Sequence, residues 1–151
     1  MFKKVMWATD GSDAADHAMP LSRTLAAEGG GELLVLHCEE LTVPGKAAGR
    51  YPRFANEDEL KAKIKRQAAE LSGDGVQATV QMATATVGGA AHAIADAAHD
   101  QQADVIVVGT RGHTPLGGLL LGSVTQRLLH IAPCPVLAVP NHTAERNAET
   151  A

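Results

Sequence analysis

The residue types best suited to chemistry are concentrated between Gly109 and Thr125, opening as Gly109-Thr110-Arg111-Gly112-His113 and closing as Gly122-Ser123-Val124-Thr125. The segment joins a β-branched run, Asp104-Val105-Ile106-Val107-Val108, to a helical pattern that begins at Ser123. Glycine at such a junction lets main chain approach an anion without a Cβ in the way, and the unpaired N–H groups at a helix start favour phosphate. Ser123 and Thr125 add hydroxyl donors. No Gly-Lys-Ser/Thr element is present and no GxGxxG follows the first strand, so neither the lysine-bearing P-loop nor the dinucleotide fingerprint applies. Spacing alone also allows a flexible turn whose glycines serve close packing. Arg111 and His113 flank Gly112 and either reach phosphate oxygens or point into solvent. Asp10, in Asp10-Gly11-Ser12, is either a ligand residue or a turn aspartate that caps its own backbone.

These residues need elements to position them. The first strand reads as Val5 to Thr9, and Ser12 caps a helix over Asp13 to Glu28 that Pro20 should kink. Gly29-Gly30-Gly31 stops this helix, and Glu32 to Cys38 follows as a continuous apolar run, the mark of a strand covered on both faces. Residues 39–55 lose all periodicity and read as a mobile loop or as plain disorder. Asn56 with Glu59 forms a capping box for a helix to Leu71. Val76, Ala78, Val80 and Met82 alternate with polar residues, as in a strand near a sheet edge. A helix over Gly89 to Gln101, the Asp104 to Val108 strand, a helix over Ser123 to Ile131 and a strand over Val136 to Val139 complete the pattern.

Strand and helix therefore alternate five strands deep, which predicts an α/β fold, a single doubly wound domain over 1–140 with a five-stranded parallel sheet in order 3-2-1-4-5. Residues 141–151 read as a flexible tail. A ligand in such a sheet sits beyond the carboxyl ends of the strands where their order reverses, here between strands 1 and 4.

Composition narrows the partners. At 151 residues the chain buries roughly 70% of its unfolded surface as one domain. A net charge of −4 without a basic run argues against nucleic acid, and 3% aromatic content leaves no stacking platform for single strands. Cys38 and Cys134 lie far apart and read as ordinary buried thiols. His37 reads as a satisfied structural histidine, whereas His17, His92, His99, His130 and His142 lack ligand spacing, so no metal site is expected among them. Arg23, Lys61, Lys63, Lys65 and Arg66 read as solvated helix faces. Without a signal-like or membrane-length apolar run, a cytoplasmic location is the default expectation and no membrane partner is expected.

Gly, two residues, Gly, nine residues, Gly-Ser resembles the nucleotide-binding signature of the universal stress protein family, and Gly109, Gly112, Gly122 and Ser123 match it without a gap. Val5 to Ser12, Leu33 to Cys38 and Pro135 to Pro140 resemble that family's first, second and last strands. The resemblance implies that Ala8 and Thr9 line the base side, that Asp10 lies near ribose or a phosphate-bound cation, and that Cys38 offers main-chain groups to adenine. It implies that Val108 and Gly109 border the sugar, while Gly112, Gly122, Ser123 and Val124 hold the triphosphate, with Thr125 in the same turn. ATP with Mg2+ is the implied ligand, ADP or AMP the alternatives, and a homodimer through the last strand the implied assembly. The function so implied is a nucleotide-binding regulatory module of the stress response. A slow ATPase or phosphotransferase using the same site is the enzymatic alternative, and a structural dimer with an empty loop is the third. Gly89-Ala90 stands where many family members carry proline, which puts the pocket wall near the third helix in doubt.

Overall fold

A computed structural model describes residues 2–40, 57–85, 89–110 and 121–141. Its elements are β1 (Lys4–Ala8), α1 (Asp13–Asp16), α2 (Met19–Gly29), β2 (Glu32–Glu40), α3 (Glu57–Leu71), β3 (Gln77–Ala85), α4 (Gly89–Asp100), β4 (Val105–Gly109), α5 (Ser123–Ile131) and β5 (Val136–Val139). The strands form one sheet in the order β3-β2-β1-β4-β5, every neighbouring pair parallel, as the alternating sequence pattern predicts.

Successive residues of each strand face opposite layers, so the apolar runs feed two cores. On one face Met6, Leu34, Leu36 and Ile106 pack against the alanine-rich side of α4 and Leu128 of α5. On the other, Val5, Trp7, Leu33 and Val35 meet Ala26 of α2 and Ile64, Ala68 and Leu71 of α3. A stripe of Ala91, Ala95 and Ala98 lets α4 lie close to the sheet, whereas the α2–α3 side makes room for fully buried Trp7. Trp7 is the sole tryptophan of the chain, and its indole Nε1–H donates to the Ala15 carbonyl at 3.1 Å.

Three elements differ from the sequence expectation. The predicted helix over 13–28 is two helices, and Pro20 falls in the first turn of the second instead of kinking one long helix. Proline has no N–H to donate, and its ring clashes with the carbonyl four residues back, so a helix start is where it is tolerated. β2 runs to Glu40, two residues past the expected end, because its pairing with β3 continues through Glu39↔Thr84 and Glu40↔Ala85. β3 itself extends to Ala85 and is an edge strand, as its alternation predicts. The rest of the expected loop, together with Asn56 of the capping box, lies outside the described residues; Glu57, Asp58 and Glu59 place negative charge in the first turn of α3, where the helix dipole favours it. Of the expected tail only Asn141 is described.

Neither thiol is as buried as expected. Cys38 and Cys134 are both half-buried and unbridged. Burial first, and the Asp104 carboxylate second, push the Cys134 thiol above its usual range against the opposing effect of a main-chain hydrogen bond at Ile106. Asp104 also accepts main-chain N–H bonds from Lys3 and Lys4 at 2.9 and 2.8 Å, which ties the start of β4 to the start of β1. Among the described residues no helix is long and apolar enough to cross a membrane.

Candidate functional site at the β1–β4 switch point

β1 and β4 are neighbours, paired through Val5↔Val105, Met6↔Ile106 and Trp7↔Val107. The chain leaves β1 for helices on the α2–α3 face and leaves β4 for α5 on the opposite face. The carboxyl ends of the two strands therefore open into a crevice where the strand order reverses.

The β1 side of the crevice is a turn built from its own side chains. Thr9 N–H donates to Leu36 O at 2.9 Å, prolonging the sheet by one bond. Buried Thr9 then accepts the Gly11 N–H at its hydroxyl, at 3.0 Å. Asp10 Oδ1 accepts the Ser12 N–H at 2.9 Å and also the Ser12 hydroxyl proton, and Ser12 Oγ in turn accepts the Ala15 N–H as the cap of α1. Asp10 thus does cap its own turn, one of the two roles its sequence context allows. Gly11 adopts φ +77°, the left-handed region that suits glycine.

The β4 side is fastened to α5. Thr110 N–H donates to Val139 O at 3.2 Å, and Gly122 N–H donates to Thr110 O at 2.7 Å, so the two ends of the segment between them meet. Thr125 is buried and its Oγ1 donates to Gly109 O at 2.9 Å. That hydroxyl holds the helix against the strand. Gly122 supplies no capping side chain to α5, so the first-turn N–H groups of Ser123, Val124 and Thr125 receive no cap from it. Exposed Ser123 adds a hydroxyl, while Val124 packs on the core. A Cβ on Gly109 would stand 2.6 Å from Ala14 O, so α1 and β4 touch main chain to side-chain-free main chain.

Ala8 and Val108 are buried on the α4 face and form a small apolar wall beneath the crevice. Cys38 lies two residues beyond Leu36, and strand alternation turns its main-chain groups toward the β1 side, past the point where β1 ends. Arg111, Gly112 and His113 lie outside the described residues. The structure thus brings together Ala8, Thr9, Asp10, Cys38, Val108, Gly109, Gly122, Ser123, Val124 and Thr125 around the carboxyl ends of β1, β2 and β4. Among the described residues no group of three His, Cys, Asp or Glu side chains is placed to hold a metal ion.

Two further residues belong to this neighbourhood. His37 is a satisfied buried histidine, its Nδ1 bonded to Thr9 O at 3.0 Å and its Nε2 facing Glu57 Oε1 at 3.1 Å. Because a carbonyl only accepts, Nδ1 carries the proton in the first contact. Lys63 overturns its expectation as a solvated residue: its Nζ donates to Gly11 O and to Asp16 Oδ2, each at 2.8 Å, and only 32% of the side chain is exposed. The sequence held a usable signal, since Leu60, Lys63 and Gln67 share the i, i+3, i+7 stripe that faces the core. Arg23 and Lys61 also have partners, in Asp74 with the Gly73 carbonyl and in Glu39.

In a sheet of this order, a helix that starts after a glycine at the switch point offers main-chain N–H groups of the kind that suit an anion. The model of the universal stress protein family matches residues 1–140. A universal stress protein of Thermus aquaticus is 38% identical over 139 residues, covering 92% of this chain and 99% of the relative. The solved structure of a universal stress protein from Methanocaldococcus jannaschii is similar with a TM-score of 0.75 and 27% identity, over 93% of this chain and 97% of that one. An Archaeoglobus fulgidus universal stress protein solved in complex with dAMP shares the fold, with a TM-score of 0.63 and 20% identity over 89% of this chain and 95% of that one. With the match running from the first strand through the last, the chain belongs to the universal stress protein family.

Proposed function

We propose that this universal stress protein binds ATP in the crevice between the carboxyl ends of β1 and β4 and acts as a cytoplasmic regulatory module of the stress response. The observation that carries the reading is the start of α5. Its first-turn N–H groups, which receive no side-chain cap from Gly122, are held at the mouth of β4 by the Thr125 to Gly109 and Gly122 to Thr110 bonds. Fixed donors at a helix N-terminus stabilise phosphate without having to reorganise when it arrives. The dAMP complex of the Archaeoglobus relative supports an adenine nucleotide as the ligand class. Mg2+ accompanying ATP would be held chiefly by phosphate oxygens, with Asp10 the carboxylate that the β1–α1 turn carries. In this reading Ala8, Thr9 and Cys38 border the base, Val108 and Gly109 the sugar, and Gly122, Ser123 and Val124, with Arg111 and Gly112, the phosphates.

ATP at about 100 times its Kd stabilises a protein by about 2.7 kcal/mol. For a chain of this length that raises Tm by roughly 5–10 °C. Thermal melts with ATP, ADP, AMP and cAMP are expected to show such a rise for at least ATP. Gly122→Val is expected to remove the rise, because its side chain would stand at the start of α5 where the phosphates lie in this reading; φ −58° at Gly122 is open to any residue. A wild-type protein whose melting none of these nucleotides moves would overturn the reading.

The homodimer is proposed at β5. This edge strand leaves Val136, Leu137, Ala138 and Val139 half-buried, and the Pro135 and Val139 carbonyls point to β4. Alternation then turns the Ala138 N–H outward, where a second copy's β5 can accept it. Ala138→Pro removes that donor without touching the β4 ladder. Sedimentation is expected to give a dimer for wild type at micromolar concentration and a monomer for the variant; a monomeric wild type sinks the proposal.

A further inference from the structure

We propose that α3 acts on the nucleotide site, with Lys63 and His37 as positioning residues that hold the β1–α1 turn in its ligand-ready shape. Nucleotide binding and the docking of α3 then stabilise each other. The inference rests on the nucleotide reading above and adds to it a regulatory element that touches no ligand.

Residues 9–12 form the turn that carries Asp10, and its internal bonds engage the Gly11 and Ser12 N–H groups. Two carbonyls of the turn are caught from outside it. Thr9 O is held by the His37 ring, 28 residues away in sequence, and Gly11 O by the Lys63 ammonium, 52 residues away. Both fasteners lead to α3. His37 bridges to Glu57 in the first turn of the helix, and Lys63 sits one turn further on. Leu60, between them, fills the space over Gly11, since a Cβ there would stand 2.0 Å from Leu60 Cδ1. Gln67 completes the stripe by donating to Asp16 Oδ1 at 2.9 Å, while Lys63 holds Asp16 Oδ2, so both carboxylate oxygens at the end of α1 are bound from α3.

A turn with glycine at positive φ has other conformations within reach, and side-chain fasteners select among them. A ligand that needs one conformation binds with an affinity reduced by the fraction of molecules that lack it. Hydrogen bonds from an ammonium to a carbonyl are charge-assisted and stronger than neutral ones, which makes Lys63 the larger of the two influences. Linkage makes the effect reciprocal: whatever α3 contributes to nucleotide affinity, bound nucleotide returns as protection of α3. The helix then carries occupancy of the crevice to its outer face, where Asp58, Glu59, Lys65, Arg66 and Glu70 are exposed.

Calorimetric titration with ATP and amide exchange of residues 57–71 test the inference on the full-length protein. Lys63→Met keeps the aliphatic stem and removes the ammonium; it is expected to weaken ATP about tenfold, within the roughly 5–150-fold range typical of coupled sites. Lys63→Arg restores most of the affinity. His37→Asn, which keeps a donor near the Nδ1 position and drops the Glu57 contact, gives a smaller loss and serves where Lys63→Met folds poorly. Ile64→Val trims one methyl group from the buried face of α3, short of undocking the helix and without touching the turn, so it lowers the unliganded Tm but leaves ATP affinity within about twofold. ATP slows exchange across α3 in wild type, and Lys63→Met loses that slowing. If wild type binds ATP and Lys63→Met binds it equally well, or if ATP leaves α3 exchange unchanged, the contacts are structural only and the inference fails while the nucleotide reading stands. A wild type that binds no adenine nucleotide overturns both.

Discussion

Gly109→Ala is expected to destabilise the protein by about 1–3 kcal/mol, as overpacking does, and to remove measurable nucleotide binding. The new Cβ would stand 2.6 Å from Ala14 O and 2.9 Å from Ala14 C, both main-chain atoms that no rotamer change can move. Either α1 shifts away from β4 or β4 shifts within the sheet. The sheet is the stiffer of the two, since β4 is paired on both sides and fully buried. α1 is one turn of four residues and should yield. Its displacement strains the Ser12 cap, the Trp7 to Ala15 bond and the turn through Asp10, while the Gly109 carbonyl also anchors Thr125 at the start of α5. One methyl group thus disturbs both walls of the crevice. Urea unfolding and ATP titration of the variant check this, and unchanged values in both would show that α1 accommodates the group.

Trp7→Ala is expected to be costlier to stability alone, at about 3–5 kcal/mol. Against a total of about 5–15 kcal/mol for a domain, that is a large share. The side chain is fully buried in the α2–α3 core. The lost hydrogen bond contributes little to this figure, because Ala15 O also accepts the Ala18 N–H at 3.1 Å and is not orphaned. Volume is therefore the dominant loss, and Trp7→Phe, which leaves a smaller void, should fall well below Trp7→Ala in urea midpoint shift. Equal shifts for the two variants would instead assign the effect to the indole N–H.

Much of the fold was legible because its strands are buried on both faces. Runs such as Val105-Ile106-Val107-Val108 and Leu33-Leu34-Val35-Leu36 have no polar alternation and fit little else between helical segments. The strand ends that moved furthest are those set by partners distant in sequence. β2 reaches Glu40 because β3 stands beside it, and polar Glu39 and Glu40 carry no local sign of that. At the crevice, the helix start at Ser123 after Gly122 is legible in the sequence, because the glycine breaks the pattern where the helical one begins. The destination of a hydroxyl or an ammonium was not. Thr125 serves Gly109 O, and Lys63 serves Gly11 O, each across a distance that only the assembled sheet closes. Charge alone places Lys63 in solvent, whereas its position on the stripe with Leu60 and Gln67 points inward.

The bonds that join Thr110 to Gly122 and Thr125 to Gly109 fix both ends of the chain segment they enclose. A span whose ends are already pinned can change length at little cost to the scaffold, since each doubling of a closed loop adds only about 0.6 kcal/mol of closure entropy. A change of length between those clasps therefore need not disturb β4, α5 or either core.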